Sequence, residues 1–158
     1  MFLLCALLLG VVAGLRSMLA PAIVSWFARH GVLAVANTPL AFMGFRFTPI
    51  ILTVFAVGEL IADKLPKTPS RKAPSGFIAR IVTGGFAGAC ITANLGQGIL
   101  LGAVGAVIGC FAGYQARTRL VKTLAVRDLY VALVEDLVAL MGALFIVSRV
   151  AQIIDRGI

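Results

Sequence analysis

An all-α bundle of membrane-spanning helices is the fold class that this 158-residue chain predicts, and three observations lead there. First, 61% of the residues are hydrophobic and only 13% are charged, against about 45–50% and about 25% in a soluble domain. A soluble globule this small cannot bury so much apolar surface, and the mean hydropathy is +1.06. Second, the apolar residues fall into runs near the roughly 20 residues that cross a hydrocarbon core. Third, the 14 Lys and Arg stand at the ends of those runs or in a Pro-rich connection. That placement encodes membrane topology, so the pI of about 10.3 does not argue for nucleic-acid binding. The whole of 1–158 reads as one integral membrane domain.

The expected elements follow in order. The opening stretch, MFLLCALLLGVVAGLRSMLAPAIVSWFARH, has no basic residues ahead of its apolar run and regains hydrophobicity straight after Arg16, unlike a secretory signal. Residues 2–28 read as a single tilted crossing, the alternative being two half-helices hinged around Gly14–Pro21. Residues 31–47, with Gly31, Asn37, Pro39, Gly44 and Arg46, read as a loop or an interfacial or re-entrant piece. Thr48-Pro49 starts a second span that runs to about Lys64. The stretch ADKLPKTPSRKAPSG is a polar connection. A third span follows at about 76–93, capped by Ser75, a fourth at about 97–115, and a fifth at about 129–152, capped by Asp128. The total is about five spans.

Basic residues set the expected orientation. Lys64, Lys67, Arg71, Lys72 and Arg80 flank one connection, and Arg117, Arg119, Lys122 and Arg127 flank another, against Arg29, Arg46, Arg149 and Arg156 at the opposite ends. The cation-rich side is expected to be cytoplasmic. Five crossings then put the N-terminus inside and the C-terminus outside; a hairpin within 2–28 moves only the N-terminus.

Helices in lipid associate through small residues that let backbones approach. Gly98, Gly102, Gly105, Gly109, Gly113 and Ala116 form a narrow stripe on the fourth span, and Gly84 and Gly88 a shorter one on the third. Packing accounts for these glycines, since none has the strand–loop–helix setting of a phosphate loop. The run G10-VVA-G14-L-R16 parallels G109-CFA-G113-YQA-R117, and each is followed by an acid-bearing span. With five crossings these pairs run in opposite directions, as in the inverted repeats of secondary transporters.

Ionisable side chains inside a membrane helix cost about 2.5–3.5 kcal/mol each at its centre, so they face the bundle interior or a wet cavity. The candidates for a substrate or ion site are Arg16, Glu59, Asp63, Arg80, Glu135 and Asp136. Glu59 and Asp63 share a helix face, and Lys64 or Lys67 is placed to neutralise Asp63. Glu135 and Asp136 point about 100° apart, with Arg80 expected to meet one of them. Arg16 has no acid in its own helix and must pair across helices. Lys67, Arg71 and Lys72 would attract anionic headgroups, although topology-setting charge explains them equally. Cys5, Cys90 and Cys110 lack CxxC spacing and His30 is the lone histidine, so neither a metal site nor a disulfide framework is expected, nor any cofactor.

At GLRSMLAP (14–21), GELIADKLPKTPSRKAP (58–74) and LVEDLVAL (133–140) the chain resembles a family of small bacterial integral membrane proteins known as a domain of unknown function. The resemblance covers most of the chain and implies a bacterial inner-membrane location. It marks Arg16, Glu59, Asp63, Lys64, Pro66, Thr68, Pro69, Ser70, Arg71, Glu135 and Asp136 as motif positions and implies no activity.

A small transporter or channel is therefore the leading expectation, with Glu59 and Glu135/Asp136 as its ionisable core and Arg16 and Arg80 as counter-charges. The alternative is a non-catalytic structural or assembly protein whose charges lock its fold. A membrane enzyme acting on a phosphorylated lipid ranks third, because no Ser/His/Asp or Cys/His arrangement is legible and no catalytic residue is assigned. A wet cavity or bound ion among Arg16, Glu59 and Glu135 would favour transport; direct ion pairs without a void would favour scaffolding. Membrane lipids are the expected partners and a homo-oligomer is compatible with five short helices, while nucleic acid is not expected.

Overall fold

A computed structural model describes residues 1–33, 35–64, 74–124 and 128–156. The described residues form helices and turns without a strand. Six α-helices follow in order: α1 (Phe2–Leu15), α2 (Leu19–Arg29), α3 (Thr48–Ala62), α4 (Pro74–Ala89), α5 (Leu95–Leu124) and α6 (Asp128–Asp155), with a 3₁₀ turn at Ala41–Gly44 between α2 and α3. At 1.5 Å per residue, α5 and α6 extend about 45 and 42 Å. These two are long and apolar enough to cross a membrane; α1 and α3 are apolar but shorter.

The expected first crossing is not one helix. It breaks at Arg16, whose backbone is extended (φ −140°, ψ 109°) while its N–H still closes the last turn of α1 on Val12. Two sequence features make the restart possible. Pro21 falls in the first turn of α2, where a missing N–H removes no helical bond. The N–H groups of Ser17 and Met18 find an acceptor outside their own helix, described below. The other end of α2 closes in a Schellman arrangement: Gly31 takes φ +73°, its N–H reaches Ala28, and the Val32 N–H reaches Phe27.

The segment after α2 is held against the bundle by side-chain hydroxyls. Ser25 Oγ donates to the Met43 carbonyl at 2.6 Å and Thr48 Oγ1 to the Phe42 carbonyl at 2.6 Å. Thr48 thus ties down the preceding turn and makes no capping bond to α3, although Pro49 sits in the first turn as the sequence suggested. Asn94, by contrast, caps α5, its Oδ1 accepting the Gln97 N–H at 3.2 Å. α5 also runs about two and a half turns beyond the expected residue 115.

Glycine contacts give the helix directions. A Cβ on Gly10 would collide with the Gly102 backbone and one on Gly14 with Ala106 and Cys110; Gly105 abuts Leu7 and Gly109 abuts Val11. Both series ascend together, so α1 and α5 are parallel. Gly84 lies on Ala106, where an added Cβ would come within 2.7 Å of the alanine Cβ, and Gly88 lies on Gly98 and Gly102, so α4 is antiparallel to α5. Trp26 Nε1 donates to Thr53 Oγ1 (3.0 Å) while Ser17 meets Glu59, so α2 and α3 are antiparallel. Gly142 faces Val12, and Asp136 faces Arg16 one end further on, so α6 is antiparallel to α1.

The described residues therefore run alternately up and down through six helices, against the expected count of about five spans. Both ends of the described chain, at α1 and α6, lie opposite the end where α3 meets the connection to α4. This matches the hinged alternative for residues 2–28 and replaces the single-crossing reading. It also removes the inverted repeat: α1 and α5, the proposed mates, run in the same direction and pack on each other, while α3 and α6 run oppositely. Ala6, Leu9 and Ala13 of α1, Ala106 of α5, and Ala139, Ala143 and Val147 of α6 fill the interior. The outer faces stay apolar: Ile51, Val54 and Phe55 of α3, Leu100 and Ile108 of α5, and Val134, Leu137, Val138, Met141 and Phe145 of α6 are all exposed.

Candidate functional site

Alternating helix directions bring five of the six acidic residues to one end of the bundle. α1 ends there with Arg16, α3 ends there with Glu59, Asp63 and Lys64, and α4 starts there with Arg80. α5 arrives with Arg117 and α6 leaves with Asp128, Glu135 and Asp136. The charges meet directly. Arg16 is fully buried; one guanidinium nitrogen bonds the Asp63 carboxylate and the other lies 2.5 Å from Asp136 Oδ1. Lys64 Nζ reaches the second oxygen of Asp136 at 2.9 Å and the Leu60 carbonyl at 3.1 Å. Arg16 thus bridges α3 and α6 at the point where its own helix breaks.

Glu59 serves that same break. Its Oε1 accepts the Ser17 N–H (2.8 Å) and hydroxyl (2.9 Å), and its Oε2 accepts the Met18 N–H (2.9 Å). These donors precede the first turn of α2, where orphan N–H groups and the helix dipole favour a negative charge. Glu59 is a cap supplied from another helix. Arg80 stands behind it, nearly buried, with one nitrogen 3.8 Å from Glu59 Oε1 and another 3.9 Å from Cys110 Sγ; its Nε has no hydrogen-bond partner among the described residues. A second, more exposed group lies beside the first: Arg117 forks onto Asp128 (2.7 and 2.5 Å) and reaches Glu135 at 3.9 Å.

All six residues singled out in the sequence lie at this end, and several partners differ from those expected. Arg16 pairs across helices as its sequence setting requires, and one of its partners is Asp63. Lys64 goes to Asp136, while Lys67, the other cation expected beside Asp63, lies outside the described residues. Arg80 meets Glu59 rather than Glu135 or Asp136. Glu135 faces Arg117, so Arg16, Glu59 and Glu135 do not share one ion-pair site. Lys67, Arg71 and Lys72, the expected headgroup-binding residues, lie outside the described residues. Sequence reasoning missed Ser17 and Arg117. Ser17 adjoins Arg16 within GLRS, and Arg117 precedes Asp128 by 11 residues across a connection, a separation with no local periodicity to reveal it. The three cysteines are free and buried, and no group of three potential metal ligands occurs among the described residues.

A helical bundle tied at one end by an interhelical ion-pair cluster is the class that this geometry defines. The chain belongs to the family described as Domain of unknown function (DUF4126), whose model matches residues 3–149. No curated protein and no solved structure is significantly similar to it.

Proposed function

We propose that the protein is a multi-pass membrane protein of the bacterial inner membrane, its cation-rich end cytoplasmic, in which the ionised cluster is a non-catalytic latch. Two features support the membrane reading. α5 and α6 are long and apolar enough to cross, and large hydrophobic side chains face outward on every long helix, an arrangement that water penalises and acyl chains accept. Cations gathered at one end fit a cytoplasmic orientation. The observation that carries the latch reading is Arg16, fully buried and held by carboxylates from α3 and α6. In a bilayer, helices gain little from apolar contact with one another, so such pairs fix which helix stands beside which. Membrane lipids are the proposed partners, and further copies of the chain are compatible with the exposed apolar faces.

A transporter or channel-like function is the second reading, and two observations favour it. Discontinuous helices that present an N-terminus to a charged group are a transporter device, and α1–α2 has that form. Arg80 is buried with an unpartnered nitrogen beside the same carboxylate.

One experiment separates the two. Wild type, Glu59→Gln and Asp136→Asn are reconstituted in liposomes, with pH-driven ion flux and thermal stability read on each. The latch reading expects lowered melting temperatures in both variants and leak-level flux throughout. Wild-type flux above protein-free vesicles that disappears in Glu59→Gln overturns it in favour of transport.

A further inference from the structure

The end of the bundle remote from the ion-pair cluster holds a second feature. Where α1 begins and α6 finishes, a groove of about 420 Å³ opens between them. It is lined by Leu4, Cys5 and Leu8 from α1 and by Phe145 and Ile146 from α6, together with the polar side chains of Arg149, Gln152 and Arg156. The volume falls in the range of small-molecule sites, which combine apolar walls with a few placed polar groups.

The arginines are the informative part. At the other end Arg16, Lys64, Arg80 and Arg117 all face carboxylates. Arg149 and Arg156 pair with no carboxylate among the described residues. They are seven residues apart on one helical face, about 10.5 Å along the axis, with Gln152 between them. Arg149 lies over the Phe145 ring, 5.2 Å from its centroid. That contact steadies the guanidinium beside the groove and leaves its N–H edge to bind oxygen anions.

The geometry points to a binding site for one anionic phospholipid, an acyl chain lying in the groove and the phosphate held by Arg149 and Arg156 with Gln152 donating between them. This inference rests on the membrane reading above but not on the latch. An uncharged amphiphile would use the walls and leave both cations unanswered, so charge complementarity selects the anionic lipid.

The test uses the full chain in nanodiscs of mixed phosphatidylglycerol and phosphatidylcholine, with retained lipid counted by native mass spectrometry. Wild type is expected to enrich phosphatidylglycerol over the disc composition by about thirtyfold, the effect of two basic residues at about 1 kcal/mol each at a lipid surface. R149Q/R156Q is expected to return the ratio to that of the disc, and Leu8→Trp, which fills the groove, to reduce retained lipid of both kinds. R29Q/R46Q, which removes two cations from the same end but outside the groove, is expected to retain the enrichment. Absence of enrichment in wild type, its persistence in R149Q/R156Q, or an equal loss in R29Q/R46Q overturns the site. A chain that fails to enter the discs overturns the membrane reading and this site together.

Discussion

Arg16 and Glu59 solve one local problem between them. A chain that breaks its helix among apolar neighbours exposes backbone N–H groups and a terminal dipole, and each unsatisfied group in such surroundings costs several kcal/mol. Glu59 accepts three hydrogen bonds at that break, and Arg16 carries the ion pairs that hold α3 and α6 to it. Removing the Glu59 carboxylate leaves donors and the Arg80 guanidinium uncompensated. Glu59→Ala should therefore lower stability by about 3 kcal/mol. Arg117→Gln, which breaks a pair whose acid Asp128 is 58% exposed, should cost at most about 1 kcal/mol. Thermal unfolding in detergent measures both, and equal losses would contradict this division. The sequence made Arg16's need for a remote partner legible, because its own helix carries no acid. Which acid answers it was not legible: residue spacing shows which side chains share a face, and only the docking of helices shows which faces meet. Spacing alone therefore points Arg80 towards Glu135 or Asp136, whereas helix docking sets it beside Glu59.

At the scale of elements, small residues set the bundle. α5 accepts α1 on one flank and α4 on the other at distances that leave no room for a Cβ at Gly10, Gly102, Gly105 or Gly109. Gly58 on α3 has nothing within 4 Å of the place where its Cβ would stand. Gly102→Val should thus destabilise by about 3 kcal/mol through forced separation of α4 and α5, whereas Gly58→Ala should be neutral or stabilise by up to about 1 kcal/mol. A melting temperature unchanged in Gly102→Val would refute the packing. The glycine stripe was visible in the sequence because its period matches a helix face. The break between α1 and α2 was not, since Gly14, Ser17 and Pro21 are all tolerated inside a long apolar helix. What breaks it is a carboxylate 42 residues away.

For the whole molecule, that single break decides the topology. With it, six helices alternate, α1 runs parallel to α5, and the ionisable groups converge on one end. Without it, five crossings and an antiparallel pair follow from the same hydropathy. Composition fixed the helical class and the basic connections fixed one end, but the direction of α1 depended on a tertiary contact. Accessibility labelling of single cysteines in a Cys5→Ser, Cys90→Ser, Cys110→Ser background checks this in cells. Phe2→Cys, Arg46→Cys and Arg156→Cys should react with an impermeant reagent from outside, and Arg119→Cys only after permeabilisation. Opposite sidedness of Phe2→Cys and Arg156→Cys would restore the five-crossing arrangement.

The account turns on whether the Arg16 guanidinium and the Asp136 carboxylate depend on each other energetically. A double-mutant cycle of Arg16→Met and Asp136→Asn, followed by unfolding in nanodiscs, measures that dependence. The expected result is a coupling of about 1–3 kcal/mol, with the double variant more stable than the sum of the single losses. Additive losses would mean that the two groups do not hold α1 to α6, and the latch would fail with them.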